Sequence, residues 1–250
     1  MPNPVTAALV IIGNEILSGR TADANLPYIA SKLNQIGIRL MEVRVVADRE
    51  DDIVAAVNAC RNACTYVFTT GGIGPTHDDI TAQAIAKAFG LPLERNAEAL
   101  ARLTRQYAPG DVNNARLAMA DMPHGASLID NPVSGAPGFQ IGNVFVLAGV
   151  PSIMQAMFDG LIGRLKGGLP VLSRTVSCYL AEGAIAEGLA ALQRRFPGVE
   201  IGSYPFFRAR RFGTSLVLRA EDGALLARAV EQLRALVTEL GGEPIEQEPV

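Results

Sequence analysis

Apolar segments of strand length alternate with segments of helical periodicity along the first part of the chain. Residues 6–12 (TAALVII) form a continuous apolar run, and residues 38–46 and 66–70 are the next strand candidates. A continuous apolar run is typical of a parallel strand that helices cover on both faces. Between these segments, apolar residues recur every three or four positions, as on one face of a helix. Repeated strand–helix units predict an α/β fold with a doubly wound, mostly parallel sheet.

A second domain is predicted after residue 168. Residues 166–170 (KGGLP) have the composition of a linker. Beyond them, strand and helix candidates follow in the order βαββα, which is typical of a small α+β unit. We therefore expect one domain over residues 1–168 and a small α+β domain over residues 169–250. The second domain holds a basic cluster that fits either a solvated hairpin turn or a contact with phosphate or a partner: Arg208, Arg210 and Arg211.

The segment 69–81 (TTGGIGPTHDDIT) connects a strand candidate to a helix candidate. Loops in this position bind ligands in open α/β sheets. Gly71, Gly72 and Gly74 allow positive φ angles and a close approach of the backbone to a ligand. Free N–H groups at the start of a helix attract phosphate. The segment therefore predicts a phosphate site, although it lacks the Gly-Lys-Ser/Thr ending of a Walker loop.

Oxygen-bearing side chains lie in the second half of this segment. Thr76 supplies a hydroxyl, Asp78 and Asp79 supply carboxylates, and His77 is a candidate phosphate contact. Two carboxylates beside a phosphate would repel it unless a cation lay between them, and divalent cations take oxygen ligands. The segment therefore predicts a site for a metal-bridged phosphate. The spacing of Thr76 and Asp79 also fits a helix-capping box, which is the alternative interpretation.

Further loops follow strand candidates or lie between them. The first of these carries the polar residues Asn14, Glu15 and Ser18. If the strands are parallel, loops that follow them lie at the same edge of the sheet and can meet one ligand. The loops are residues 13–19, 131–138 and 148–152.

Composition argues against several classes of partner. A net charge of −3 supplies no basic field for nucleic acid. No uncharged apolar run reaches the ~20 residues that span a bilayer, and no signal peptide is recognised. Three cysteines are too few for a disulfide framework. We expect a cytoplasmic protein with neither nucleic acid nor a membrane as its partner.

Taken in order, the loops resemble those of the N-terminal domain of CinA-type (competence/damage-inducible) proteins, a domain of the MoaB/Mog molybdopterin-binding family. The glycine–aspartate segment is the most specific part of the resemblance, which extends to the linker. Residues 171–250 look like the small α+β domain that follows in CinA-type proteins. The matching motifs are GNEILSG (13–19), TGGIGPTHDDIT (70–81), NPVSGAPGF (131–139) and AGVPSIM (148–154).

The resemblance implies a MoaB/Mog-like fold and a site that depends on a divalent metal ion, such as magnesium or cobalt. CinA-type domains are associated with ADP-ribose pyrophosphatase activity, and the similar domain of eukaryotic FAD synthases with FAD hydrolysis. Mog-type relatives adenylylate molybdopterin. We therefore expect a hydrolase of a nucleotide pyrophosphate bond that forms a homodimer or higher homo-oligomer. The alternatives are a molybdopterin-binding or transfer protein without hydrolase activity, and a regulatory interaction module.

The same resemblance assigns roles to individual residues. The three glycines of the 69–81 segment would approach the phosphates, and Asp78 and Asp79 would hold the metal or orient water as catalytic residues. Many CinA-type sequences carry lysine where this chain has His77, so a fixed positive charge on the phosphate is missing and the preferred substrate stays open. The residues expected to line the rest of the pocket are Asn14, Glu15, Ser18, Ser134 and Gly135.

Overall fold

A computed structural model describes residues 4–106, 113–208 and 210–247, with the side chains of the last two residues excepted. The chain divides into two compact units, residues 1–168 and 169–250. Among the described residues, no helix is both long enough and apolar enough to cross a membrane.

The first unit contains eight described strands and seven described α-helices. The strands are β1 (Thr6–Ile12), β2 (Arg39–Val46), β3 (Tyr66–Thr70), β4 (Leu93–Arg95), β5 (Asp121–Pro123), β6 (Ser127–Ile129), β7 (Gly138–Ile141) and β8 (Val144–Leu147). The helices are α1 (Asn14–Leu17), α2 (Asn25–Gln35), α3 (Glu50–Ala63), α4 (Thr81–Phe89), α5 (Ala97–Gln106), α6 (Asn114–Ala118) and α7 (Pro151–Leu161), and a 3₁₀ turn follows at Ile162–Arg164.

Six of these strands form one mixed, mostly parallel sheet in the order β2-β1-β3-β8-β7-β6. The first four strands in this order run parallel to one another, and β7 and β6 are antiparallel to their neighbours. The predicted fold class is therefore confirmed. The separate ribbon of β4 and β5 was not predicted, because segments of three residues carry too little periodicity to be recognised.

The strand β1 explains the continuous apolar run at the start of the chain. Its alternate residues Ala8, Val10 and Ile12 join a core beneath α3, α4 and α5. The intervening residues face the opposite core, which includes side chains of α2 and α7. A strand in the centre of a sheet covered on both faces buries every side chain, and burying each Leu or Ile contributes about 1.5–3 kcal/mol.

The register of the parallel strands aligns their carboxyl ends. Ile12 of β1 pairs with Val46 of β2, and Ile11 of β1 pairs with Thr70 of β3. Thr70 in turn pairs with Leu147 of β8. The loops that follow these four strands therefore start at one edge of the sheet. The chain leaves β1 toward β2 on one side and leaves β3 toward β6, β7 and β8 on the other side, so this edge also contains the topological switch point, between β1 and β3.

The second unit is an antiparallel sheet with two helices. Its elements are β9 (Leu172–Cys178), α8 (Glu182–Arg195), β10 (Glu200–Arg208), β11 (Arg211–Ala220), α9 (Gly223–Glu239) and β12 (Ile245–Gln247). The strand order is β10-β11-β9-β12, and side chains of both helices join one core with the sheet. The predicted βαββα order is present, and β12 adds a short edge strand beside β9.

Candidate functional site

A cavity of about 470 Å³ opens at the edge where the four parallel strands end. Residues from the loops after β1, β2, β3 and β8 line it, together with Asn131, Ser134 and Ala136. In open α/β sheets, ligands bind outside the carboxyl ends of the strands at the switch point. The cavity has the expected position and a size within the range of small-molecule sites.

The glycine loop after β3 is held tightly against its neighbours. Gly71 has φ 100°, and a Cβ on it would lie 2.2 Å from the carbonyl oxygen of Ile12. Gly72 has φ 68°, and a Cβ there would lie 2.2 Å from the Thr81 hydroxyl. The Gly71 amide donates to the carbonyl oxygen of Leu147 at 3.2 Å. Only glycine satisfies both the left-handed φ angle and the space at these two positions.

The loop leaves backbone donors at the cavity. The amides of Gly72, Ile73 and Gly74 donate no hydrogen bond to another described residue, and all three residues line the cavity. The lining includes no residue of α4, whose first amide, that of Thr81, donates to the Gly72 carbonyl oxygen at 3.0 Å. Successive free amides form an anion-binding concavity. The donors that face the cavity are thus those of the glycine loop, because no residue of α4 lines it and the first amide of that helix is already engaged.

Asp79 closes a turn ahead of α4 and lines the cavity. Its Oδ2 accepts a 2.8 Å hydrogen bond from the Thr76 amide and a second one from the Thr76 hydroxyl. The helix begins at Thr81, and its N-cap residue Ile80 makes no side-chain cap. Asp79 and Thr76 therefore make the contact that the capping interpretation expects, but this contact closes the turn before α4 and does not cap the helix. The second carboxylate oxygen of Asp79, Oδ1, takes no part in that turn.

Asp78 also lines the cavity, with its side chain 58% exposed. The Thr76 hydroxyl, whose one proton can serve either Asp79 or Asp78, and the Asp78 backbone amide hold the pKa of this carboxyl below its usual value, and His77 has a smaller effect in the same direction. Asp78 is therefore negatively charged at neutral pH. The His77 side chain is 98% exposed and lies outside the cavity lining, with its Nδ1 4.0 Å from Asp78 Oδ1.

Two more carboxylates line the cavity from the loops after β1 and β2. Glu15 lies in the short helix α1, and its carboxylate folds back to 2.5 Å from the position that a Cβ on Gly13 would occupy. Asp48 Oδ2 accepts a 2.8 Å hydrogen bond from the Asn14 amide. Glu15 was a predicted pocket residue and Asp48 was not, although Asp48 also follows a strand closely, as the polar residues of the other loops do.

The remaining predicted residues are divided between the lining and its support. Ser134 lines the cavity, whereas Gly135, Asn14 and Ser18 do not. Asn131, which was not singled out, donates from Nδ2 to the Ser134 hydroxyl and to the Ala136 carbonyl oxygen, both at 2.7 Å. The side-chain amide of Asn131 therefore fixes the conformation of the 131–136 loop. Because the Ser134 oxygen accepts this hydrogen bond, the hydroxyl proton can be donated to a ligand.

The described residues that line the cavity include four with a carboxylate side chain and none that is Lys, Arg or His. A phosphate bound by the loop amides would therefore need a counter-charge from a cation. No group of three or more His, Cys, Asp or Glu side chains in the described part of the chain could enclose a metal ion. Magnesium, however, commonly binds through one or two carboxylates and the substrate's phosphates while keeping several waters. Asp78 and Asp79 supply two neighbouring carboxylates of the type that such a cation takes as ligands.

Comparison with known proteins agrees with this architecture. Residues 8–167, more than half of the chain, match the family described as "Probable molybdopterin binding domain". The chain belongs to this family. Residues 170–241 match the "FAD synthase, middle domain" family.

Individual relatives cover either the whole chain or its first unit. A protein of Aeropyrum pernix is 33% identical over 97% of both chains. A "Probable FAD synthase" of Caenorhabditis elegans is 31% identical over 95% of this chain, which spans about half (51%) of that relative. The solved structure of CinA from Thermoplasma acidophilum, described as a protein of unknown function, superposes with a TM-score of 0.62 at 34% identity. The match covers 64% of this chain and 98% of that one. The predicted resemblance to CinA-type N-terminal domains is therefore confirmed.

Proposed function

We propose that the cavity binds a pyrophosphate-linked nucleotide, such as ADP-ribose or FAD, and hydrolyses its pyrophosphate bond in the presence of a divalent cation. One observation carries this proposal: free backbone donors and four carboxylates line the same cavity, without a basic side chain among its described residues. Such a lining favours a phosphate that is accompanied by a cation over a bare anion. The probable FAD synthases among the relatives support a nucleotide as the ligand.

In the proposed reaction, a water oxygen forms a bond to one phosphorus atom. The bond from that phosphorus to the bridging oxygen breaks, which gives two monophosphates and releases a proton. A divalent ion such as magnesium or cobalt, when bound, would neutralise the charge that develops on the phosphates. Asp78 and Asp79 would hold this ion, and the amides of residues 72–74 would bind the phosphate oxygens.

The remaining polar groups of the cavity can handle the water and the rest of the ligand. Asp79 Oδ1 can orient the attacking water, because only Oδ2 is needed for the turn at Thr76. Asp48 and Glu15 are on the neighbouring loops and can accept the proton that the water releases. Ser134 can donate its hydroxyl to the nucleotide.

A second candidate function is binding or transfer of molybdopterin without hydrolysis. The description of the matching family favours it, because a pterin phosphate would use the same loop amides. Incubating the purified protein with ADP-ribose, FAD and other dinucleotides, each with magnesium or cobalt, separates the two. The hydrolase proposal expects monophosphate products that disappear on chelation. Tight molybdopterin binding with no turnover of any dinucleotide would favour the second function.

We also propose that the protein is a homo-oligomer, because the MoaB/Mog-type domains that it resembles associate. The simplest form is a dimer, because closed two-fold dimers are the commonest assemblies. Light scattering at high micromolar concentration should give at least twice the mass of one chain. A mass equal to one chain would contradict this.

A further inference from the structure

Asn25 connects the start of α2 to the loop after β8. The residue is only 4% exposed, and its Nδ2 donates a 2.8 Å hydrogen bond to the carbonyl oxygen of Gly149. The two residues are 124 positions apart in the sequence. Gly149 lines the ligand cavity, whereas Asn25 does not. The amide of Asn25 therefore holds one wall of the cavity from behind.

Gly149 in turn supports the glycine loop. A Cβ on Gly149 would lie 3.1 Å from the Cα of Gly71, so the two backbones are in close contact. The Gly71 amide also donates to the carbonyl oxygen of Leu147, two residues before Gly149. A shift of the 148–150 loop would consequently change the surface on which Gly71 rests. The free amides at residues 72–74 follow directly in the chain.

The other half of the Asn25 amide indicates why an asparagine is present. Its Oδ1 is buried and has no hydrogen-bond partner among the described residues, and the same is true of the Thr70 hydroxyl. Both side chains line a small chamber of about 60 Å³, which Glu15 also borders. This volume could hold about two water molecules at roughly 30 Å³ each. A buried amide with one bond contributes less to stability than a well-packed apolar side chain, so stability alone does not explain Asn25.

We propose that Asn25 is a positioning residue of the ligand cavity, which acts through Gly149 on the glycine loop. Asn25 itself does not line the cavity. Its amide N–H fixes the carbonyl oxygen of Gly149, and Gly149 fixes the backbone of Gly71 so that the amides of residues 72–74 keep the spacing that phosphate binding needs. The effect on ligand affinity rests on the proposed function, whereas the effect on the two loops does not.

Asn143 supplies a matched control. It is also an asparagine of the first unit, and its Nδ2 donates to the carbonyl oxygens of Arg61 and Cys64, both at 3.0 Å. It precedes β8, whereas Gly149 follows β8, so the two amides fasten opposite ends of the same strand. A role in stability alone would make the two asparagines equivalent in their effect on the cavity loops.

The test compares Asn25→Leu with Asn143→Leu in the full chain by amide hydrogen exchange. Asn25→Leu should raise exchange about tenfold in peptides covering residues 68–76 and 146–154, and Asn143→Leu should leave these peptides unchanged. Asn25→Asp, which is nearly the same shape but lacks the N–H donor, should reproduce the effect and replaces Asn25→Leu if that variant does not fold. Unchanged exchange in both loops, or an equal rise in the Asn143 variant, would overturn the positioning role.

A second measurement uses magnesium pyrophosphate as the probe, titrated by calorimetry. The dissociation constant should rise about tenfold in Asn25→Leu and stay at the wild-type value in Asn143→Leu. If the wild-type protein does not bind this probe, the proposed function fails while the exchange experiment still decides the role of Asn25. If the probe binds equally to wild type and Asn25→Leu, the positioning role fails while the phosphate site stands.

Discussion

The Thr81 hydroxyl donates a 2.9 Å hydrogen bond to the carbonyl oxygen of Gly71. Thr81 is the first residue of α4 and is fully buried, and its amide donates to Gly72 in the same loop. One threonine therefore engages the carbonyl groups of two consecutive glycines. With these oxygens turned toward α4, the loop amides that follow them are left for a ligand.

Replacing Thr81 with valine should destabilise the first unit. Valine keeps the shape of threonine but leaves the buried Gly71 carbonyl oxygen without its hydroxyl donor, which costs about 1–3 kcal/mol. Thr81→Ser keeps the donor and loses only a methyl group, so it serves as the control. Urea-induced unfolding measures both. A valine variant as stable as wild type would contradict the importance of this bond.

Replacing Gly72 with alanine should lower the stability of the protein by more than the unfavourable φ angle alone would. The added Cβ would lie 2.2 Å from the Thr81 hydroxyl. Gly90, at the other end of α4, has φ 64°, and a Cβ added there would meet no atom within 4 Å. Gly90→Ala therefore isolates the backbone cost, which is about 1–2 kcal/mol.

The two alanine variants are compared by thermal unfolding and by binding of magnesium pyrophosphate. Gly90→Ala should lower stability and leave binding unchanged, whereas Gly72→Ala should lower both. Equal behaviour of the two variants would mean that the close contact between Gly72 and Thr81 has no consequence for the site.

The sequence predicted the central features of the fold because they depend on local patterns. The apolar run of β1 is continuous, and in the structure its residues alternate between two cores. The glycine loop was recognised because its residue types suit few other backbone conformations. The short strand β12 was missed, because its place beside β9 depends on a pairing between distant parts of the chain and not on its own three residues.

The candidate site was predicted in part for a similar reason. Asp48 and Asn25 act through contacts with distant segments, to Asn14 and Gly149 respectively. Nothing in the residues next to Asn25 distinguishes it from other polar residues at the start of a helix. The structure also assigns Asp79 a turn-forming contact that its position in the sequence left open.

The pKa of Asp78 predicts a dependence of stability on pH. Its folded-state pKa lies below the ordinary value, because the Asp78 backbone amide and the Thr76 hydroxyl, which Asp78 shares with Asp79, stabilise the charged form. The carboxylate therefore contributes stability above its unfolded-state pKa, and this contribution is lost as pH falls through the lower folded-state value. Between about pH 5 and pH 2, stability should fall more steeply in wild type than in Asp78→Asn. Urea unfolding along a pH series checks the difference, and parallel curves would contradict it.

Asp79 provides the sharpest test of the proposed reaction, because its two oxygens have different tasks. Oδ2 accepts both hydrogen bonds from Thr76, and Oδ1 is left for a cation or a water molecule. In Asp79→Asn, the amide oxygen can still accept from Thr76, so the turn and the melting temperature should stay near those of wild type. The negative charge is lost, and loss of a comparable electrostatic group lowers the rate by about 10²–10³.

Asp79→Ala and Asp78→Asn complete this experiment. Alanine removes the acceptor for Thr76 as well as the charge, so Asp79→Ala should lose both stability and activity, and the two Asp79 variants together separate the turn from the chemistry. Asp78→Asn leaves the turn at Asp79 intact. The reaction rate of this variant therefore measures how much the Asp78 carboxylate contributes to binding the cation. If Asp79→Asn kept most of the metal-dependent release of monophosphates, Asp79 would be a structural residue only, and the reaction would depend on Asp78, Asp48 and Glu15.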